Sequence, residues 1–252
     1  MSHRIDLNAD MGESYGAWTL GQDRALLEHV SSANVACGAH AGDPNTMLRM
    51  AALTRDRGVA LGAHPGLPDL QGFGRRELAV SPDEVYALVL CQVGALAGCA
   101  QAQGTRLVHV KPHGALYNMA ARDAVLAGAI ARAVHDLNPE LVLVGLSGSQ
   151  LLRAGTGHGL RVASEAFADR GYEADGSLTP RGLPGALIED GELAVARVLR
   201  MIRDGVVRSR QGMDIPLHAD TICLHGDHPG AVAFACSLRK ALDAAGIRVA
   251  AL

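Results

Sequence analysis

The chain repeats one pattern along its length: a short apolar run, one or two polar residues, and then a helical segment. The apolar runs are IDLNAD near the start, ANVACG at 33–38, VALGAH at 59–64, LVHVKPHG at 107–114, LVLVGLSG at 141–148, LRVASEAFADR at 160–170, TICLHGD at 221–227 and RVAAL at the end. Runs of this kind are typical of strands in a parallel sheet that is buried on both faces. Seven or eight strand–helix units in 252 residues predict a closed or nearly closed α/β barrel, as a single domain spanning 1–252.

Two segments carry clear signals for the start of a helix. In SPDEVYALVLCQVGALAG, Ser81 can cap the helix, Pro82 suits its first position, and Glu84 completes a capping box. The pair Asp43-Pro44 precedes NTMLRMAALTRDRG in the same way. These helices support the alternating pattern.

Two connections are too long to be tight turns between a strand and a helix. HPGLPDLQGFGRRELAV follows the third strand, and FADRGYEADGSLTPRGLPGAL follows the sixth. Both are rich in Gly, Pro and charged residues, and long loops in compact domains are commonly binding loops or lids. We therefore expect both loops to cover a site.

Composition excludes several classes of function. The formal net charge is −3 and the basic residues are scattered, which argues against binding to nucleic acid or to an anionic membrane. The five cysteines contain no C-x-x-C pair, so a disulfide framework is not expected. We expect the chain to lie in a reduced compartment, the cytoplasm. The sequence shows no signal peptide and no run of about 18 uninterrupted apolar residues. A small polar molecule is the expected ligand.

Polar side chains recur where the predicted strands end. Since the carboxyl ends of the strands of a βα barrel meet on one face, these residues are expected to form one site. A lone His after a strand is usually structural, whereas four at equivalent positions favour a functional role. The candidates are Asn8, Asp10, Glu13, His40, Asp43, His64, Lys111, His113, Glu165, Asp169, His225 and Asp227.

Basic residues and cysteines add further candidates. Lys111 precedes a proline at a strand end, where a buried amine needs an anion nearby. Arg75 and Arg76 lie in the first long loop and either form a clamp for a carboxylate or phosphate or are an ordinary exposed pair. Cys37 and Cys223 are interpreted as core residues rather than nucleophiles. The sequence contains no G-x-x-x-x-G-K-[ST] phosphate loop.

Six blocks together closely resemble the family of 5-oxoprolinase A-subunits, also called the LamB/YcsF lactam-utilisation family. They run from residue 6 to 229 and are DLNADMGE, ANVACGAHAGDP, GAHPGLPDLQGFGRR, VKPHGALYN, EAFADRGY and CLHGDHP. One departure is Ala39 in GAHAGDP, where an aromatic residue is expected. It affects the shape of the pocket rather than its functional groups.

The resemblance implies a seven-stranded βα barrel, TIM-barrel-like and similar to the carbohydrate deacetylase and glycoside hydrolase barrels. It also implies ATP-dependent opening of 5-oxo-L-proline to L-glutamate, with ATP as cosubstrate, together with Mg²⁺, and with two partner subunits, B and C. The residues themselves indicate only a hydrolytic site lined by acids and histidines. They leave open where ATP binds and whether a divalent metal is bound.

We hypothesise the following roles for the candidate residues. Asp10 or Glu13 deprotonates water, Lys111 and His64 stabilise negative charge, and His113 protonates the leaving nitrogen. The substrate contacts are assigned to Asn8, His40, Arg75, Arg76, Glu165, Asp169, His225 and Asp227.

Two alternatives stay open. In a metal-dependent deacetylase or amidohydrolase, Asp10, His40 and His64 would hold a divalent ion. In the other, the chain is non-catalytic and only holds substrate for its partners.

Overall fold

The computed structural model describes residues 3–224 and 230–252. Its strands are β1 (Arg4–Met11), β2 (Ser32–Ala36), β3 (Ala60–His64), β4 (Leu107–Val110), β5 (Val142–Leu146), β6 (Arg161–Phe167), β7 (Val206–Arg208), β8 (Asp214–Pro216), β9 (Thr221–Leu224) and β10 (Arg248–Val249). Its helices are α1 (Asp23–Leu26), α2 (Pro44–Arg57), α3 (Pro82–Ala102), α4 (Gly114–Arg122), α5 (Ala124–Leu137), α6 (Gln150–Gly157), α7 (Gly191–Asp204) and α8 (Ala231–Ala244).

Seven parallel strands close into a barrel in the order β1-β2-β3-β4-β5-β6-β9. Closure comes from β9, which pairs with β6 on one side and with β1 on the other. The last strand, β10, pairs with the start of β1 outside this ring. The predicted seven-stranded βα barrel is confirmed, and RVAAL forms the additional short strand.

The core consists mainly of small and branched aliphatic residues. Strands β2 and β5 are buried at every position, as expected for strands covered on both faces. With aromatic residues at only 3% of the sequence, Ala, Val and Leu fill most of the space between the barrel and its helices.

Both predicted helix starts are confirmed. The Ser81 side chain accepts from the Glu84 backbone, and Glu84 in turn accepts from the Ser81 backbone, which completes the capping box of α3. Asp43 caps α2 by accepting from the backbone of Thr46. These caps satisfy backbone donors that a helix leaves without partners at its N-terminus.

In the described part of the chain, α3 is long and apolar enough to cross a membrane by length and composition alone, with a mean hydropathy of 1.6. It contacts α2 and α5 on the outside of the barrel. Val85, Val89 and Leu96 of this helix are buried in the core. Core helices of other proteins reach the same length and hydropathy.

One element lies outside the predicted pattern. Strands β7 and β8 form a short antiparallel pair between α7 and β9. Their sequence, VVRSRQGMDIP, is too short and too charged to resemble the buried runs of the barrel. This hairpin contributes Arg210 to the face of the barrel that holds the polar cluster described next.

Candidate active site

Strand β1 directs alternate polar residues into the barrel, because residues two apart share one side of a strand. Its outward residues Ile5 and Leu7 lie in the hydrophobic core. Asp10 lies opposite Asn34 of β2, whose Nδ2 donates to Asp10 Oδ1 at 2.9 Å and to Asn8 Oδ1 at 2.7 Å. The polar residues of β1 therefore have partners from neighbouring strands.

Asp6, the acid at the start of β1, accepts hydrogen bonds from three hydroxyl groups. Asp6 accepts from Ser31 at 2.6 Å, from Ser32 at 2.7 Å and from Thr221 at 2.5 Å. Burial nevertheless raises the pKa of Asp6, and these hydrogen bonds lower it only in part. Asp6 is thus a structural acid below the site.

Lys111 connects two of the candidate acids. Its Nζ lies 2.9 Å from Asp10 Oδ1 and 2.8 Å from Glu165 Oε1, and it donates to Asn8 Oδ1 at 3.2 Å. Burial by itself lowers the pKa of Lys111, but the carboxylates of Asp10 and Glu165 outweigh it and hold that pKa well above its usual value. Lys111 is therefore a fixed positive charge between two acids.

Three histidines and one acid form a second group beside Asp10. One ligand atom from each of Glu13, His40, His64 and His113 lies within 4.8 Å of all the others. His64 Nε2 also lies 3.3 Å from Asp10 Oδ2. Burial first, and then the neighbouring histidines, lower the pKa of His40 and of His113 well below the usual value. These two rings are therefore neutral near pH 7.

Backbone carbonyls set the tautomers of two of the rings. His64 Nδ1 lies 2.7 Å from the carbonyl oxygen of Lys111, and His113 Nε2 lies 2.8 Å from that of Phe73. Because a carbonyl only accepts, each of these nitrogens carries a proton. The other nitrogen of each ring, His64 Nε2 and His113 Nδ1, is not engaged by a carbonyl, and these two nitrogens face each other at 3.0 Å.

The first long loop holds this arrangement in place. Phe73 adopts a positive φ of 54°, and its ring packs edge-on against His40 and His113. Gly74 follows with φ 63°, where an added Cβ would lie 2.7 Å from His40 Cβ and 2.9 Å from His113 Cδ2. The turn therefore requires glycine for its backbone and for the close approach of the rings.

The two candidate arginines lie in different places. Arg75 stacks over the Phe73 ring at 4.8 Å and lines the cavity above the histidines. Arg76 forms an ion pair with Asp69 and does not belong to the lining of that cavity. The structure therefore separates the pair that the sequence treated together.

A cavity of about 930 Å³ lies over the polar cluster. Both long loops line it, the first with Arg75 and Glu77 and the second with residues that include Arg170 and Glu173. Both loops that the sequence predicts to cover a site therefore line this cavity. All five residues predicted as catalytic line this cavity: Asp10, Glu13, His64, Lys111 and His113.

The remaining candidates are distributed differently. Glu165 is buried within β6 and takes part in the cluster through Lys111. Asp169 is buried and lines a neighbouring cavity with Arg181 and Leu187. Asp43 serves as the helix cap already described. His225 and Asp227 lie outside the described residues.

Sequence reasoning missed one histidine and one loop residue. His109 lies inside β4, fully buried, and its Nε2 lies 2.7 Å from Asn34 Oδ1. It lies opposite Gly62, where any side chain would collide with the ring. The sequence signal that was available is a histidine inside the apolar run LVHV. For Phe73, no sequence pattern indicated that its carbonyl would fix a histidine.

The two buried cysteines are not activated. Burial raises the pKa of the Cys37 thiol to about 12 and holds that of Cys223 well above its usual value. Cys223 Sγ lies 3.1 Å from Lys111 Nζ. Since the thiolate is the nucleophilic form, these values favour the interpretation of both as core residues.

Comparison with known proteins identifies relatives over the full length of the chain. It is 61% identical to a 5-oxoprolinase A-subunit of Methylococcus capsulatus, with 100% of this chain and 97% of the relative covered. It is 56% identical to one of Bacillus subtilis, with 99% and 97% covered. A crystal structure of a lactam utilization protein from Thermus thermophilus superposes with a TM-score of 0.93 at 50% identity, covering 99% of this chain and 100% of that one. The model of the LamB/YcsF family matches residues 5–252, and the chain therefore belongs to the LamB/YcsF family.

Proposed function

We propose that this chain is the hydrolytic A-subunit of a 5-oxoprolinase, which opens 5-oxo-L-proline to L-glutamate with consumption of ATP. The observation that carries the proposal is the 61% identity, over the whole chain, to a protein named as the A-subunit of 5-oxoprolinase. We further propose that residues 1–252 act as one catalytic domain, in the cytoplasm, together with partner subunits B and C.

The geometry supports hydrolysis because it places a carboxyl group and a buried lysine in contact beside one cavity. Lys111 and Asn34 bind Asp10 Oδ1 and favour its charged form, while Asp10 Oδ2 is directed toward His64. We assign Asp10 as the base that deprotonates water. Glu13, the other acid predicted as catalytic, lies among the histidines.

An unactivated lactam is a poor electrophile, and ATP supplies the activation in our proposal. Phosphorylation of the lactam oxygen, with help from the partners, would release ADP. Attack by one water and cleavage of the C–N bond would then give γ-glutamyl phosphate, and a second water would release phosphate and glutamate. Mg²⁺ would accompany the nucleotide, as in other phosphoryl transfers.

Other residues of the cavity have roles in the same scheme. Lys111 and His64 stabilise the negative charge that develops on the substrate. Asp10 passes the proton of water to the gap between His64 Nε2 and His113 Nδ1, and His113 then delivers it to the leaving nitrogen. Arg75, rather than Arg76, binds the substrate carboxylate, since Arg75 lines the cavity and Arg76 pairs with Asp69.

The proposal is tested by reconstitution. The purified chain is assayed with 5-oxoproline and ATP, alone and with the candidate B and C subunits, and glutamate and ADP are measured together. We expect coupled formation of both products only in the complete mixture. Robust formation of both products by the isolated chain would contradict the division of the reaction between chains.

The same assay addresses the alternative in which this chain only holds substrate. In that case, replacing Asp10 by Asn would leave turnover by the complex unchanged. If Asp10 is the base, the same substitution lowers turnover by about 100-fold or more.

A further inference from the structure

The contact between His64 and His113 is unusual because the backbone hydrogen bonds of both rings place a proton on the far nitrogen and not on the facing one. The protons sit on His64 Nδ1 and His113 Nε2, which donate to the carbonyls of Lys111 and Phe73. His64 Nε2 and His113 Nδ1 therefore direct two lone pairs at each other across 3.0 Å. Two lone pairs at that distance repel unless a positive charge lies between them.

Carboxylates add negative charge at the same point. Glu13 Oε1 lies 3.9 Å from His113 Nδ1, and Asp10 Oδ2 lies 3.3 Å from His64 Nε2. The rings of His40, His64 and His113 are buried, and the Glu13 side chain is only 9% exposed. Concentrated lone pairs and carboxylates with little access to water favour a bound cation.

We propose that His64 Nε2, His113 Nδ1 and the Glu13 carboxylate bind one divalent transition-metal ion of the zinc class. Tetrahedral zinc with bonds of about 2.0–2.1 Å places its ligand atoms about 3.3 Å from one another. The observed separations of 3.0 Å and 3.9 Å fall on either side of that value. Imidazole nitrogens with a carboxylate oxygen are a donor set suited to such ions.

The outer contacts of both histidines support this assignment. A histidine that binds a metal usually donates its other ring N–H to a carboxylate or a backbone carbonyl, which fixes the tautomer and the ring. His64 and His113 both do so, at 2.7 Å and 2.8 Å. The strained backbone of Phe73 provides one of these carbonyls.

His40 is a neighbour of this site rather than a ligand. Its ring stacks on that of His113 with centroids 3.7 Å apart and planes within 5°, so the two rings cannot both point at one ion in this orientation. Neither ring nitrogen of His40 has a hydrogen-bond partner among the described residues, and Nε2 lies 3.7 Å from Glu13 Oε1. His40 is thus placed to contact Glu13 or a water on the ion.

Two histidines and one glutamate leave a coordination position open, which is typical of catalytic rather than structural zinc. This site differs from the trio Asp10, His40 and His64 considered from the sequence in its acid and in one histidine. Asp10 Oδ1 is engaged by Lys111 and Asn34, and Asp10 Oδ2 lies beside His64 as a neighbour of the proposed site.

A catalytic role for the ion rests on the proposed function. There Glu13, His64 and His113 would hold the ion, which would supply positive charge in place of the shared proton, and Asp10 would pass the proton of water to the leaving nitrogen.

The test is metal binding by the full chain, measured without any turnover. The chain is treated with chelator and dialysed, then titrated with Zn²⁺ by calorimetry and with Co²⁺ by visible absorption. We expect one ion per chain and the absorption of tetrahedral or five-coordinate Co²⁺. His113→Ala and the milder Glu13→Gln should each weaken binding by about 10-fold or more, while His135→Ala, at an exposed position, should not.

Other results would contradict the metal site or the proposed function. Absence of stoichiometric binding, or equal binding by wild type, His113→Ala and Glu13→Gln, would overturn the proposed metal site. Equal loss in His135→Ala would show nonspecific binding and would also overturn the site. One ion per chain in a complex that does not open 5-oxoproline would support the site and contradict the proposed function.

Discussion

At the scale of single residues, Lys111 combines a structural and a chemical role. Its charge lies between Asp10 and Glu165, and its side chain is 3% exposed. Removing one partner from a buried group of charges leaves the other charges uncompensated. The resulting loss of stability is larger than the net stability that the intact pair contributes. The sequence predicts that Lys111→Met lowers the maximal rate without a matching loss of thermal stability. The buried ion pairs lead us to expect a loss of stability as well.

We predict that Lys111→Met lowers the free energy of unfolding by about 3–5 kcal/mol, because Asp10 and Glu165 lose their buried counter-charge. Adding Glu165→Gln to Lys111→Met should recover part of that loss, since one of the two uncompensated charges is removed. Chemical denaturation of the two variants measures the difference. If the double variant is less stable than Lys111→Met, the charges are not coupled as the distances indicate.

At the scale of elements, the first long loop positions the histidines through its backbone. It also binds the start of α4, where the Ala115 backbone N–H donates to Gly74 O at 2.8 Å. The loop is thus a supporting element of the cavity as well as a cover. This role depends on the left-handed turn at Phe73 and Gly74.

We predict that Gly74→Ala reduces ring opening by the complex and Zn²⁺ binding by the chain, because its new methyl would push against His40 and His113. Gly104→Ala is the matched control, since Gly104 also has a positive φ, 67°, but has nothing within 4 Å of an added Cβ. Both variants carry the backbone cost of about 1–2 kcal/mol for an L-residue in this region. Equal activity and metal binding in the two would show that the contact with the rings is unimportant.

The second long loop is attached to the β7–β8 hairpin by charge. Arg210 Nε donates to Glu173 Oε1 at 2.9 Å, and this hydrogen bond, followed by one from Gln211, lowers the pKa of Glu173 to about 2. Because the folded-state pKa is below the unfolded value of 4.5, the attachment is fully present above pH 4.5 and is lost as the pH falls toward 2.

We predict that Glu173→Gln accelerates cleavage of the loop 167–187 by a protease at neutral pH and leaves the unfolding midpoint of the barrel nearly unchanged. Ser177→Ala, in the same loop, should change the cleavage rate much less. Identical cleavage rates for Glu173→Gln and wild type would mean that the ion pair does not hold the loop.

Particular elements show what the sequence could and could not provide. The barrel and the strand-end residues were predictable, because few folds other than a parallel βα barrel contain repeated buried runs, each followed by polar residues. The β7–β8 hairpin was missed because its strands are short and charged and so lack the buried apolar run that marks the strands of the barrel. Arg75 and Arg76 are adjacent, and only the folded loop determines that one faces the cavity. The tautomers of His64 and His113 depend on carbonyls from distant residues, which no local pattern encodes.

At the scale of the whole molecule, closure of the barrel brings β1, β3, β4 and β6 together, so that the acids, the lysine and the histidines share one cavity. The central claim is that this cavity carries out the hydrolytic part of ATP-dependent ring opening when the chain is assembled with its partners. Asp10 tests it most directly, because it contacts both Lys111 and His64.

The decisive measurement is the rate of glutamate formation by the reconstituted complex containing Asp10→Asn, compared with wild type and with Asp56→Asn at an exposed surface position. Circular dichroism and co-purification with the partners confirm that each variant is folded and assembled. We predict a loss of about 100-fold or more for Asp10→Asn and none for Asp56→Asn. Wild-type glutamate formation by a folded, assembled Asp10→Asn complex would contradict the account.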